Sequence, residues 1–145
     1  TEAAAELVSF RESEVTAKAE SVLSLLGQAE SALRDARVTL NRNTIPFDSN
    51  GPWYTSGLRI GTPALSTLGM GTEEMKEIAS IIKLVVSNTR PARITRGKSA
   101  GTLSKARYGL DADALREAQG RVADLLGRFP LYPKLDLGYL QRSFG

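Results

Sequence analysis

Apolar residues recur at helical spacing in three stretches of the chain and alternate with polar ones in two shorter stretches. Between residues 2 and 35 Ala and Glu dominate, and Val22, Leu25, Leu26, Ala29 and Leu33 repeat three and four apart, which predicts helix. Gly27 interrupts that pattern. The stretch therefore reads as one helix or two, with a short strand over residues 21–26 as the alternative. Val38, Thr39 and Leu40 alternate as a strand does, Asn41 to Pro52 is turn-rich, and Ser56 to Thr62 reads as a second strand closed by Pro63. A loop of that length in a compact domain is usually functional or disordered. Thr72 is placed to cap a helix with Glu73 and Glu74 in its first turn, and Met75, Ile78, Ala79, Ile82, Val85 and Val86 recur on one face of it. Residues 89–108 read as a polar connector without hydrophobic period. Asp111 then caps a helix whose Leu115, Ala118, Val122, Leu125 and Leu126 share a face and which Gly127 ends. The Phe129–Pro133 run must be extended or turned. The sum is an α+β domain with one small antiparallel sheet flanked by helices.

Composition narrows the chemistry. At 145 residues the chain has length for one domain, and its 41% hydrophobic and 24% charged residues are ordinary for a globular protein. No apolar run approaches the roughly 18 residues of a membrane span, and the acidic N-terminus does not read as a signal peptide. Cysteine and histidine are both absent. Disulfides, thiolate and imidazole metal ligands, cysteine nucleophiles and the commonest general base are thereby excluded, and no metal site is expected. The net charge of +3 is unevenly spread: residues 1–36 carry seven acids and three bases, whereas residues 90–108 carry Arg90, Arg93, Arg96, Lys98, Lys105 and Arg107 with no acid. Such a stretch can track phosphates, but with Tyr108 as its one aromatic it lacks stacking platforms for single strands. A solvated basic loop, or a contact to an acidic partner surface, is the favoured reading over nucleic acid.

The stretch from Val38 to Gly69 reads VTLNRNTIPFDSNGPWYTSGLRIGTPALSTLG. It resembles, without a gap, the segment of serine (glycine) hydroxymethyltransferase in which a strand ending in an Asn-basic-Asn turn leads through a Pro-rich loop to Thr-Ser-Gly-Leu/Ile-Arg-Ile/Val-Gly-Thr-Pro-Ala. Gly27-Gln28-Ala29-Glu30 with Ala32-Leu33 is similar to the helix before that strand, and Gly71 to Ile82 to the helix after it. Ser104-Lys105-Ala106-Arg107-Tyr108 and the Phe129–Pro133 run look like the tail of actinobacterial-type members. The resemblance implies the C-terminal small domain of a fold-type I enzyme dependent on pyridoxal 5'-phosphate (PLP). That domain is placed at residues 27–145, with residues 1–26 a helical segment that departs from the family.

A strand turns alternate side chains to opposite faces, so Leu58 and Ile60 can enter a core while Arg59 projects from the other side. A guanidinium there offers a planar fork that matches a carboxylate bidentately, and Gly57 and Gly61 leave room for a substrate to approach. The resemblance assigns Arg59 to the α-carboxylate of serine or glycine. It assigns Asn43 to the pteridine ring of tetrahydrofolate, where an amide can donate and accept at once; otherwise Asn43 is a turn residue. Trp53 and Tyr54, a departure from the commonest form of the loop, read as core or as pocket walls.

A PLP enzyme also needs a lysine to carry the cofactor, donors for its phosphate and an acid for its ring nitrogen. In this family the lysine follows a Thr-rich run ending in His, and none of Lys18, Lys76, Lys83, Lys98, Lys105 and Lys134 has that context. No catalytic residue is assigned to this chain, which is expected to be inactive without a large PLP-binding domain or second chain. The resemblance further implies a cytoplasmic homodimer acting in one-carbon metabolism. Two alternatives stand beside it: a threonine aldolase or transaldolase, whose substrates share the same carboxylate, and a non-catalytic assembly module that retains the motif.

Overall fold

In the computed structural model, residues 23–47, 57–133 and 137–144 are described. A first helix, α1, covers residues 23–35 and passes through Gly27 without a break, so the strand alternative fails over residues 23–26. The expected helix over residues 2–22 lies outside the described residues, as do Trp53, Tyr54, Lys18 and Lys134. Then come β1 (Asn41–Asn43), β2 (Gly57–Arg59), α2 (Pro63–Thr67), α3 (Thr72–Ser87), β3 (Thr89–Arg93), β4 (Leu103–Leu110), α4 (Ala112–Arg128) and α5 (Leu137–Phe144). The class is α+β, as expected, but with two separate two-stranded antiparallel sheets, β1–β2 and β3–β4, rather than one.

The core lies where α1, α3 and α4 meet. Ala32, Leu33 and Ala36 of α1 and the turn after it, with Leu40, pack against Ile81 and Val85 of α3 and Ala118 and Val122 of α4. Alanines at three of these positions let the helix axes come close while Leu33, Ile81 and Val85, all fully buried, supply the volume. Polar ties fix the rest. Arg121 of α4 grips Glu77 of α3 with two donors, Nε at 2.7 Å and Nη2 at 2.8 Å, and also reaches Ser80 Oγ at 2.9 Å. That grip holds the Glu77 carboxyl below its usual range, the Arg121 hydrogen bond being the largest cause. It lies on the 77–81–84 side of α3, beside α4. The buried stripe of α3 is centred on Ile81 and Val85, rotated by roughly 80° from the face expected at 100° per residue. Ile78 and Ile82 are half-buried, and Ala79 and Val86 are exposed.

Helix ends follow local chemistry. Asp111 caps α4 as expected, its Oδ1 accepting from the backbone of Asp113 at 3.0 Å and of Ala114 at 2.9 Å. Asp111→Ala should lower stability by about 1 kcal/mol, and a thermal midpoint equal to the parent's would count against the cap. Gly127 lies inside α4, which runs on to Arg128. For α3 the cap is Gly71 rather than Thr72: the Gly71 N–H donates to Glu74 Oε2 at 2.8 Å, and Thr72 is the first helical residue. Pro63 opens α2 instead of merely closing the strand before it, because its missing N–H costs nothing in a first turn. At the end of α1 the chain turns through Arg37, whose φ of 66° is left-handed, while Val38 N–H bonds Leu33 O at 2.8 Å and Arg37 N–H bonds Arg34 O at 2.9 Å. This turn delivers the chain to β1.

Residues 89–108, expected as a connector, form most of the β3–β4 ribbon. Thr89 pairs with Leu110 and Pro91 with Tyr108, and a bulge falls between Pro91 and Arg93. Side chains of α1 hold it down: Gln28 Nε2 donates to Ser104 O at 2.9 Å and Ser24 Oγ to Lys105 O at 2.7 Å. From the ribbon, the Tyr108 hydroxyl donates to Asp35 Oδ2 at 2.6 Å. Burial, and then that hydrogen bond, push the Tyr108 phenol up to about 12 from an ordinary 10.0. The protonated phenol is thus favoured by folding, so its stabilisation is complete below pH 10 and disappears as pH rises towards 12. Part of the alkaline fall in unfolding midpoint across that window should vanish in Tyr108→Phe. Identical profiles for the two proteins would show that the phenol is not linked to folding.

Candidate functional site

Strand β1 starts three residues later than the alternation of Val38 to Leu40 implied, because residues 38–40 run from the α1 turn into the core without a strand partner. The pairing that does form is Asn41 with Arg59, Arg42 with Leu58 and Asn43 with Gly57. Cross-strand partners share a face, so this register sorts the hairpin into two sides. Leu58 packs against the core, and Arg42, opposite it, turns to α1. Asn41, Asn43 and Arg59 therefore sit on the side away from the core, and all three are exposed. Diagonal neighbours of this kind stand about 7–8 Å apart, which brings Arg59 and Asn43 within reach of one ligand.

Leu58, half-buried, packs against the core, whereas Ile60 is 58% exposed, since β2 ends at Arg59 and its alternation ends with it. The two glycines differ in weight. A Cβ at Gly57 would meet Ile45 Cγ2 at 2.5 Å, so Gly57 admits the chain that crosses beside it; at Gly61 the nearest group, Pro63 Cδ, is 3.8 Å away and imposes nothing. Phe47, at the end of the described part of the loop, is fully exposed with a left-handed φ of 61°.

Arg59 makes no ion pair with another described residue, as is also true of Arg37, Arg90, Arg93, Arg96, Arg107 and Arg142, while Arg34, Arg42, Arg116, Arg121 and Arg128 each have a carboxylate within 4.0 Å. A strand-borne guanidinium that is left uncompensated on an open face is suited to an external anion, above all a carboxylate. The opposite side of the hairpin holds features that the sequence pattern did not reveal. Glu30 of α1 is 5% exposed, hydrogen-bonded by Arg34, and its Oε2 lies 4.0 Å from Arg42 Nε. Glu30, Arg34, Leu40, Asn41 and Arg42 line a polar hollow of about 310 Å³ alongside β1, to which residues from both faces of the strand contribute. The signal for Glu30 was its place in the helix preceding the strand; what hid it was that an acid on an Ala/Glu-rich helix ordinarily faces water. No described helix is long and apolar enough to cross a membrane.

The chain is thus an α+β domain whose short hairpin carries Asn43 and Arg59, the latter without an acidic partner among the described residues. The chain belongs to the serine hydroxymethyltransferase family, whose model matches residues 7–82. It is 51% identical over 109 residues to serine hydroxymethyltransferase of Chlamydia muridarum, covering 75% of this chain and 21% of that protein. To the enzyme of the same name in Treponema pallidum it is 50% identical over 117 residues, 81% of this chain and 20% of the relative. To that of Salinispora tropica it is 50% identical over 111 residues, 77% and 22% of the respective chains. The chain thus spans about a fifth of the length of these relatives. No solved structure matches it.

Proposed function

We propose that this chain supplies the substrate-carboxylate arginine of a glycine/serine hydroxymethyltransferase that converts serine and tetrahydrofolate to glycine and methylene-tetrahydrofolate. Arg59 holds the α-carboxylate and Asn43 contacts the pteridine. The observation that carries the reading is the uncompensated Arg59 on the outer face of β2, diagonal to Asn43, in a chain of this family. The hairpin's work is positional: a carboxylate gripped by two donors cannot rotate, and a folate ring edge met by an amide is fixed relative to it.

PLP, which the family implies, supplies an electron sink for reaction at the α-carbon. The described residues do not fit it. Lys76, Lys83, Lys98 and Lys105 stand exposed on α3, the ribbon loop and β4, and none belongs to the hairpin that carries Arg59. Our reading assigns the cofactor to protein outside this chain, in keeping with the fifth of the relatives' length that it spans. We read the whole as a cytoplasmic homo-oligomer.

Two measurements on the full-length enzyme test this. Serine turnover should depend on tetrahydrofolate, and undiminished cleavage without it would indicate the aldolase chemistry of related enzymes. Asn43→Ala should raise KM for tetrahydrofolate by about tenfold, the loss of one or two neutral hydrogen bonds, with KM for serine little changed.

A further inference from the structure

Glu30 is an ionisable group that the proposed reaction does not use, and it is nearly fully enclosed. A carboxylate in that position is costly unless cations satisfy it. Arg34 comes from its own helix, one turn on. Arg42, by contrast, comes from the central position of β1. Its guanidinium, 4.0 Å from Glu30, passes over α1 at Gly27, where a Cβ would stand 3.1 Å from Arg42 Nη1. Glycine in mid-helix ordinarily costs about 1 kcal/mol relative to alanine. Here it leaves the space that the arginine occupies.

Among the described residues β1, three residues long, has one strand partner, so the ladder by itself restrains it weakly. Rotation of such a strand about its axis, or a slip by one position, would turn Asn43 and its neighbour Arg59 away from a ligand. The tie from Arg42 to Glu30 opposes both motions, because it anchors the inward side of the strand to a helix of the core. We infer that Glu30 is a positioning residue: its buried carboxylate, through Arg42 laid over Gly27, holds the β1–β2 hairpin in the orientation that presents Asn43 and Arg59. This rests on the site reading above, and it adds a residue that touches neither substrate.

Loosening the tie leaves only a fraction of molecules with the face presented, and the apparent dissociation constant rises by the inverse of that fraction. Saturating substrate restores the presented form, so kcat is spared. In the full-length enzyme Glu30→Gln, which keeps the shape and removes the charge, should raise KM for serine and for tetrahydrofolate together by about tenfold, with kcat nearly unchanged. Arg42→Met, at a half-exposed position that does not threaten folding, should do the same, and the double variant should be no worse than either single one. Arg59→Lys serves as the control. If it leaves serine kinetics intact, the site reading falls and this inference with it. If Arg59→Lys is impaired while Glu30→Gln and Arg42→Met keep normal KM and lose only thermal stability, the positioning role alone is overturned.

Discussion

Arg59→Lys in the full-length enzyme should lower kcat/KM for serine by on the order of 2–4 kcal/mol of transition-state stabilisation. Arginine meets a carboxylate with two parallel N–H donors in one plane. Lysine brings a point charge that can settle anywhere around the two oxygens. Both attract; only the first fixes the angle of the α-carbon. The penalty should therefore fall on kcat as well as KM, since a misaligned substrate is bound without being ready to react. Because no acid competes for Arg59 among the described residues, the variant creates no unpaired buried carboxylate, and its folding should be close to normal. An enzyme whose kcat/KM for serine is near that of the parent would remove the functional claim made for this residue.

The second large effect concerns stability. Ile81→Ala should destabilise by about 2–5 kcal/mol, the range for removing a large aliphatic side chain from a filled core, because Ile81 is 1% exposed and packs among Leu33, Val85 and Ala118. Ile82→Ala, one residue on and half-buried, should cost less than half as much. The pair of variants separates two accounts of α3. Hydrophobic spacing alone favours Ile82 as the core position; in the fold Ile81 takes it, on the side of α3 that Glu77 ties to Arg121 of α4. Calorimetric unfolding of the full-length enzyme reads the difference, and equal losses for the two variants would refute the rotated face.

That rotation illustrates where sequence reading succeeds and fails here. Helices with strong local signals were legible. Asp111 followed by apolar residues three and four apart could hardly be anything but a capped amphipathic helix, and α4 is that. The face of α3 is ambiguous in the sequence because apolar residues cover more than half of its circumference, and the choice among them falls to packing against helices remote in the chain. The β3–β4 ribbon escaped notice for a related reason. Its strands are held by α1 side chains bonding to backbone carbonyls and by Tyr108 reaching Asp35, contacts that leave no period-two stripe in a segment dominated by Arg, Lys, Gly and Ser. Strand β1 begins three residues beyond the alternation, since Val-Thr-Leu leads into the core while the pairing falls on the polar Asn-Arg-Asn that follows. The candidate residues were legible by resemblance, which supplied Arg59 and Asn43. Their presence on one face depended on a register that no local pattern encodes.

The two-stranded ribbon raises a separate matter, that of unwanted association. Small sheets offer free backbone edges on which a strand from another molecule can add, the first step towards aggregation. This ribbon is guarded on both flanks. Along β4, carbonyls of Ser104 and Lys105 are already occupied by Gln28 and Ser24 of α1. Along β3, Pro91 lacks the donor that an incoming strand would need, and in β4 the bulge, where residues 104–107 face Ala92 alone, breaks the regular edge. Arg90, Arg93 and Arg107, exposed and without acidic partners among the described residues, would face their own kind in any edge-to-edge pairing of two such ribbons. A segment with few apolar residues to bury is thus kept from adding strands by the same basic, proline-interrupted sequence that made it look like a mere connector.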